Sequence, residues 1–138
     1  MKLVTTYICV DNIEKSLNFY RELLQQEPVY CNDDRWIAFE CGISLYNKKY
    51  DKRLIEKGGH IRFNQAYQTD INKIDTPKKN NIVIFNFEVD DLKTEYKRIK
   101  DLSIGEVSEI FFVNVHMPYH YFNIIDPDGN ILEITGNY

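Results

Sequence analysis

Few of the side chains that usually do chemistry stand in a catalytic or metal-binding pattern in this chain. The histidines are His60, His116 and His120. His116 and His120 share a segment, but an i,i+4 pair meets only on a helix face. In a strand the two would stand roughly 13 Å apart. The cysteines Cys9, Cys31 and Cys41 are odd in number and include no C-x-x-C pair. Three free thiols packed as small hydrophobes are expected, and neither a redox centre nor a zinc site. The conspicuous chemistry is aromatic: ten tyrosines, eight phenylalanines and one tryptophan. Most of these rings must fill a core. A surplus of tyrosine also suits a flat, ring-binding groove, because each tyrosine offers an apolar body with a polar tip.

Those rings need strands and helices to position them. Residues 2–10 (KLVTTYICV) are rich in β-branched and aromatic types and read as a strand. Asp11-Asn12 supplies a helix N-cap, with Glu14 three residues after Asp11 as a capping box requires. Ile13, Leu17, Tyr20 and Leu24 then recur at helical spacing over 13–25. Beyond Pro28 and the Asn32-Asp33-Asp34 turn come two short strands, 35–40 and 43–47. The second half runs in the same order. It has a strand at 82–89, a cap at Asp90-Asp91, and a helix carrying Leu92, Tyr96 and Ile99. Strands at about 109–115, 118–125 and 131–135 follow, the last two joined by the turn Asp126-Pro127-Asp128-Gly129-Asn130.

This is an internal repeat. Val10-Asp11-Asn12-Ile13 matches Val89-Asp90-Asp91-Leu92 at an offset of 79 residues. The fold class is α+β, with two βαβββ modules at about 1–50 and 81–138. The segment 51–80 between them reads as a long connecting loop with room for one short helix.

At 138 residues the chain fits a single domain, long enough to bury a core without staples. A net charge of -4 argues against nucleic acid, which needs a positive surface. The short basic runs Lys48-Lys49, Lys52-Arg53 and Lys78-Lys79 are broken by other residues and read as solvated surface. No apolar run approaches membrane-spanning length, and the first residues lack the shape of a signal peptide. A cytoplasmic protein with no membrane contact is expected.

Two segments carry a family resemblance. Val10-Asp11-Asn12-Ile13-Glu14-Lys15-Ser16-Leu17-Asn18-Phe19-Tyr20 resembles the opening V-x-D-hydrophobic-x-x-S-hydrophobic-x-F-Y of the vicinal oxygen chelate superfamily. Asp126-Pro127-Asp128-Gly129-Asn130-Ile131-Leu132-Glu133-Ile134 resembles its closing DPDGN-x-x-E hairpin. That superfamily includes glyoxalase I, extradiol dioxygenases, fosfomycin-resistance enzymes and bleomycin-resistance proteins. The resemblance implies curled mixed sheets around a cup, with helices outside, and a homodimer. In its enzymes a divalent metal sits in the cup on side chains from four strand positions, chelating two substrate oxygens. Carried over, those places read Thr5, Tyr46, Ile84 and Glu133, and only Glu133 is an ordinary ligand. The expectation is therefore no metal and no cofactor.

With Glu133 facing the cup, strand alternation names its neighbours. Tyr7, Trp36 and Tyr46 in the first module and Glu88, Tyr119, Tyr121 and Asn123 in the second face inward with Glu133. Such an aromatic, acidic lining suits a flat or cationic small molecule. The leading expectation is a binding protein that holds its ligand stoichiometrically, the bleomycin-resistance type. Three alternatives remain open. One is a metal-dependent lyase, isomerase, transferase or dioxygenase with atypical ligands, and another is a metal-free enzyme using Glu133 or Glu88 as general base. The last is a regulatory domain with a vestigial cup.

Overall fold

The computed structural model describes residues 6–58, 62–71, 83–114 and 118–138, which fall into two compact units, Met1–Lys78 and Lys79–Tyr138. Thr5, His60 and His116 lie outside the described residues.

In the first unit the elements run β1 (Thr6–Cys9), α1 (Ile13–Leu24), β2 (Tyr30–Asn32), β3 (Trp36–Ala38), β4 (Ile43–Tyr46), α2 (Lys48–Glu56) and α3 (Gln65–Ile71). The sheet order is β1-β4-β3-β2, with β1 parallel to β4 and the other pairs antiparallel. The second unit repeats the plan with β5 (Phe85–Val89), α4 (Leu92–Leu102), β6 (Glu106–Val107), β7 (Phe111–Asn114), β8 (Pro118–Ile125) and β9 (Ile131–Gly136). Here β5 is parallel to β9, β9 pairs with β8, and both β6 and β7 pair with β8. The expected α+β class is present and so is the repeat, as βαβββ in the first unit and with four strands after the helix in the second, where β6 and β7 both pair along β8. Among the described residues no helix is long and apolar enough to cross a membrane.

The two crossover helices start alike. Asn12 accepts the Lys15 amide on Oδ1 at 3.0 Å, and Asp91 accepts the Thr94 amide on Oδ1 at 3.0 Å. The Asp11–Glu14 capping box is not the device used. Asp11 instead pairs with Lys49 at the surface. The buried face of α1 is Ser16, Phe19, Tyr20 and Leu23, one residue round from the stripe that the apolar periodicity predicts. Fully buried Ser16 has almost no bulk, while Tyr20 meets Phe19 edge-on at 5.1 Å and Phe39 at 6.4 Å. In the second unit Leu92 and Ile99 are fully buried, and Tyr96 packs edge-on against Phe122 at 5.1 Å.

Three further expectations are corrected. Within 51–80 the described residues are mostly helical, in α2 and α3, where one short helix is expected. The short strand β2 is an addition, since an edge strand with all three residues exposed shows no apolar alternation. Cys9, Cys31 and Cys41 are exposed thiols, not core fillers, because they fall on open or edge positions of their strands and turn.

The closing hairpin is held by one carboxylate. Buried Asp126 accepts the amides of Asp128 and Asn130 on Oδ1 at 2.9 and 2.8 Å, and the Asn130 carboxamide on Oδ2 at 2.8 Å. Gly129 takes the left-handed conformation (φ 86°) that the reversal needs. Further along β9, Gly136 pairs with Val89, and a methyl group there would collide with the Val89 carbonyl oxygen. Gly136→Ala should therefore lower stability by about 2 kcal/mol, the scale of an overpacked interior site. A urea unfolding curve measures it, and an unchanged midpoint would show that β5 and β9 are not in this register.

Candidate functional site

In both units alternation sorts apolar from polar side chains. On the first sheet Ile8, Ile37, Ile43 and Leu45 are buried on one face. Tyr7, Cys9, Trp36, Ala38, Ser44 and Tyr46 point the other way. Register places Trp36 opposite Tyr46 and Tyr7 opposite Ser44. The three predicted rings meet as a result. Tyr7 lies 5.1 Å from Trp36 and 6.0 Å, edge-on, from Tyr46, and Trp36 lies 6.1 Å from Tyr46. Tyr7 is half exposed, so this cluster has a surface a ligand can touch.

Behind Tyr46 stands a polar network that the sequence reading does not contain. Fully buried Asp51, on α2, accepts Arg35 through Nε to Oδ1 (2.8 Å) and Nη2 to Oδ2 (3.0 Å). The same Oδ2 accepts Tyr67 from α3 at 2.7 Å and Tyr46 at 2.8 Å, while the two phenol oxygens are 2.6 Å apart. Two phenol protons cannot fill three oxygen–oxygen contacts, so one contact lacks its own proton at any instant. The Arg35 guanidinium also lies 5.5 Å from the Tyr46 ring centre. This network ties α2 and α3 to the end of β4 and locks the Tyr46 ring.

The titrations follow from the geometry. Burial pushes the Asp51 carboxyl up, but hydrogen bonds from Arg35, Tyr67 and Tyr46, with the Arg35 charge, outweigh it and leave it below the ordinary carboxylate range. Tyr46 is pushed above the ordinary phenol range by burial, by its hydrogen bonds to Tyr67 and Asp51, and by the Asp51 charge. Burial likewise raises Tyr67. A helical signal for Asp51 does exist, since Asp51, Leu54 and Ile55 share one face of α2. With aspartate in the buried place the segment reads as solvated surface.

The second sheet buries Phe122, Ile124, Leu132 and Ile134 on one face. Asn86, Glu88, Tyr119, Tyr121, Asn123, Ile131, Glu133 and Thr135 take the other. All five predicted residues of this module therefore share a face. Register sets Asn86, Glu133 and Asn123 in one row, and Glu88, Thr135, Tyr121 and Phe111 in the next. The Asn86 carboxamide donates to Glu133 Oε1 at 2.7 Å. Tyr119 and Tyr121 stack with centroids 5.7 Å apart at 24°, and Phe111 lies 5.1 Å from Tyr121. A shallow cavity of about 390 Å³ at the end of the sheet is lined by Glu88, Pro118, Tyr119, His120, Thr135 and Tyr138, among others.

The donor set does not fit a divalent metal. The registers Tyr7–Ser44 and Asn86–Glu133 make Ser44, not Tyr46, the counterpart of Glu133, and a serine hydroxyl is a poor ligand. Ile84 offers only hydrocarbon. His120 belongs to the helix-facing side of β8, stacked on Tyr138 at 4.0 Å and beside Phe112 at 4.7 Å, on the opposite face from Glu133. Among the described residues no three His, Cys, Asp or Glu side chains converge as metal ligands do, and the misfit of the donor set holds for those residues, with Thr5, His60 and His116 outside them.

A family model described as the glyoxalase-like domain matches residues 3–137. No curated protein matches the sequence significantly. Among solved structures, a lactoylglutathione lyase from Agrobacterium tumefaciens is 19% identical with a TM-score of 0.64, covering 99% of this chain and 93% of its own. A fosfomycin resistance protein from Listeria monocytogenes is 13% identical at a TM-score of 0.66, with 100% and 94% covered. A bleomycin resistance determinant encoded on the transposon Tn5 is 15% identical at 0.62, with 99% and 98% covered. At these identities the likeness is one of fold.

Stability should depend on pH at both ends because of the Asp51 network. The Asp51 contribution is complete above pH about 4, the unfolded value, and is lost as pH falls through the lower folded value. The contribution of the raised phenols is complete below pH about 10 and is lost as pH rises beyond it. Asp51→Asn should cost about 3 kcal/mol at neutral pH and flatten the acid limb of a urea-midpoint profile. An acid limb identical to that of the native chain would mean that Asp51 is not the carboxylate responsible.

Proposed function

Because the chain belongs to the glyoxalase-like domain family, whose fold hosts both metalloenzymes and binding proteins, we propose that it binds a flat, cationic small molecule without a metal. One observation carries this reading: the stacked Tyr119 and Tyr121 rings, with Phe111 tilted against Tyr121, lie on the same sheet face as Glu88 and Glu133. Neither carboxylate has an ion pair among the described residues. Rings of this kind attract a cation through their electron-rich faces, and unpaired carboxylates add Coulomb attraction. The Tyr7, Trp36 and Tyr46 cluster of the first unit supplies a second aromatic surface. Its polar edge is consumed by Asp51, which makes it the more apolar of the two.

Stoichiometric binding needs no reacting group, whereas a metal-free enzyme would have to use Glu133 or Glu88 as its base. The metal-dependent alternative would have to rely on a hydroxyl at Ser44 and a hydrocarbon at Ile84, neither of which serves as a strong ligand.

The test is calorimetric titration with N-methylquinolinium, a planar permanent cation, alongside elemental analysis after exposure to Ni, Zn, Mn and Fe(II). Binding should persist in a chelator, and Tyr121→Ala should weaken it roughly tenfold with modest loss of stability. Glu133→Gln should leave metal content unchanged. A tight one-to-one metal, or no binding of any planar cation, would overturn the proposal.

A further inference from the structure

The second sheet carries an anomaly at one of the residues expected to line the cup. Asn123 Oδ1 is screened from water and has no hydrogen-bond partner among the described residues. Buried polar atoms almost always find a partner, because one left unpaired has lost its water without gaining a replacement. The backbone of Asn123 is fully engaged, its amide donating to Ser108 Oγ at 2.9 Å and its carbonyl accepting from the Ser108 amide at 3.0 Å. The residue is therefore held in place while its side-chain oxygen is left unused.

Its neighbour explains what that oxygen could serve. Asn123 stands directly opposite Glu133 in the β8–β9 register. Side chains so paired project side by side, with Cβ atoms about 5 Å apart. The Asn86 carboxamide already occupies Glu133 Oε1 and so fixes the carboxylate. Glu133 Oε2 has no hydrogen-bond partner among the described residues. Register thus sets two acceptor-bearing residues, one charged and one neutral, side by side on the face that also carries Tyr119 and Tyr121. No donor among the described residues is aimed at them.

We infer that Asn123 and Glu133 together read paired N–H groups on the ligand, so that the preferred ligand is an aryl amidinium, guanidinium or aminoheterocyclic cation. This rests on the cation-binding reading above and narrows it. A quaternary ammonium satisfies the rings and the Glu133 charge but cannot donate to Asn123. A planar cation bearing N–H groups can do all three. The Asn123 oxygen is covered in the free protein, so contact with a ligand requires the groups over it to shift, as side chains commonly do at binding interfaces. The unpaired carbonyl is then a stability cost kept for recognition, the pattern expected where local rules are broken at a functional site.

Two probes of similar size separate the possibilities: 2-naphthamidine, a flat amidinium with N–H donors, and N-methylquinolinium, which has none. The native protein should bind 2-naphthamidine at least tenfold more tightly. Asn123→Leu should abolish that preference, read as the ratio of the two affinities on the same variant, and its melting temperature should hold or rise. A purely structural asparagine would give the opposite, a lower melting temperature with the preference intact. Asn123→Ala, smaller than the native side chain, gives the same comparison where leucine does not fit. Equal binding of both probes, or a preference that survives both variants, overturns the role of Asn123 while the cation-binding reading stands. Binding of neither probe overturns both.

Discussion

In each unit the first strand lies parallel to the last, β1 on β4 and β5 on β9, and the rest of the architecture depends on that pairing. A parallel pair cannot be closed by a hairpin, so the chain must cross over through a helix before returning. The crossover helix buries one sheet face and leaves the other open. That constraint puts Leu45 and Ile134 under α1 and α4 and forces Tyr7, Tyr46, Asn86 and Glu133 onto the open sides. The chemistry of the protein is confined to whatever the sequence places at those alternate positions.

The two units then diverge in how they use the same plan. In the first, the open face is built from rings whose polar tip is turned away from the ligand surface, since Tyr46 donates its hydroxyl into the Asp51 and Tyr67 cluster. Asp51 tolerates full burial because four donor groups converge on it, and a carboxylate so satisfied rigidifies its surroundings. In the second, polar atoms are left over. Glu88 and one oxygen of Glu133 meet no donor among the described side chains, and the Asn123 carbonyl, screened from water, has no partner either, a state that folded proteins rarely keep. One face is rigid and apolar, the other acceptor-rich, and ligand chemistry follows the second.

Much of this is legible in the sequence alone. The repeat at Val10 and Val89, the two caps, the strand at 118–125 and the DPDGN turn come from local rules that act within a few residues, and they stand in the folded chain within a residue or two of their expected places. Alternation assigns Tyr7, Trp36, Tyr46, Glu88, Tyr119, Tyr121, Asn123 and Glu133 to the open faces, because a strand with one buried side has no other way to hide Ile37, Phe122 or Leu132. The buried face of α1 falls one residue from the expected stripe, since Ser16 is buried for its small size and periodicity counts only apolar residues.

What lies outside the sequence is every relation between distant residues. Arg35, Asp51 and Tyr67 come from three separate parts of the first unit, and none is marked as buried by its type, so their network exists only once α2 and α3 have folded back onto β4. The shift of one metal place from Tyr46 to Ser44 is a matter of strand register, which spacing along one strand cannot supply. Which side chains share a face can be read along the chain, because alternation and helical period are properties of the local backbone. Which of them are satisfied, and which, like Asn123, keep an acceptor to offer, emerges only on folding, because a hydrogen bond requires two groups brought together in space.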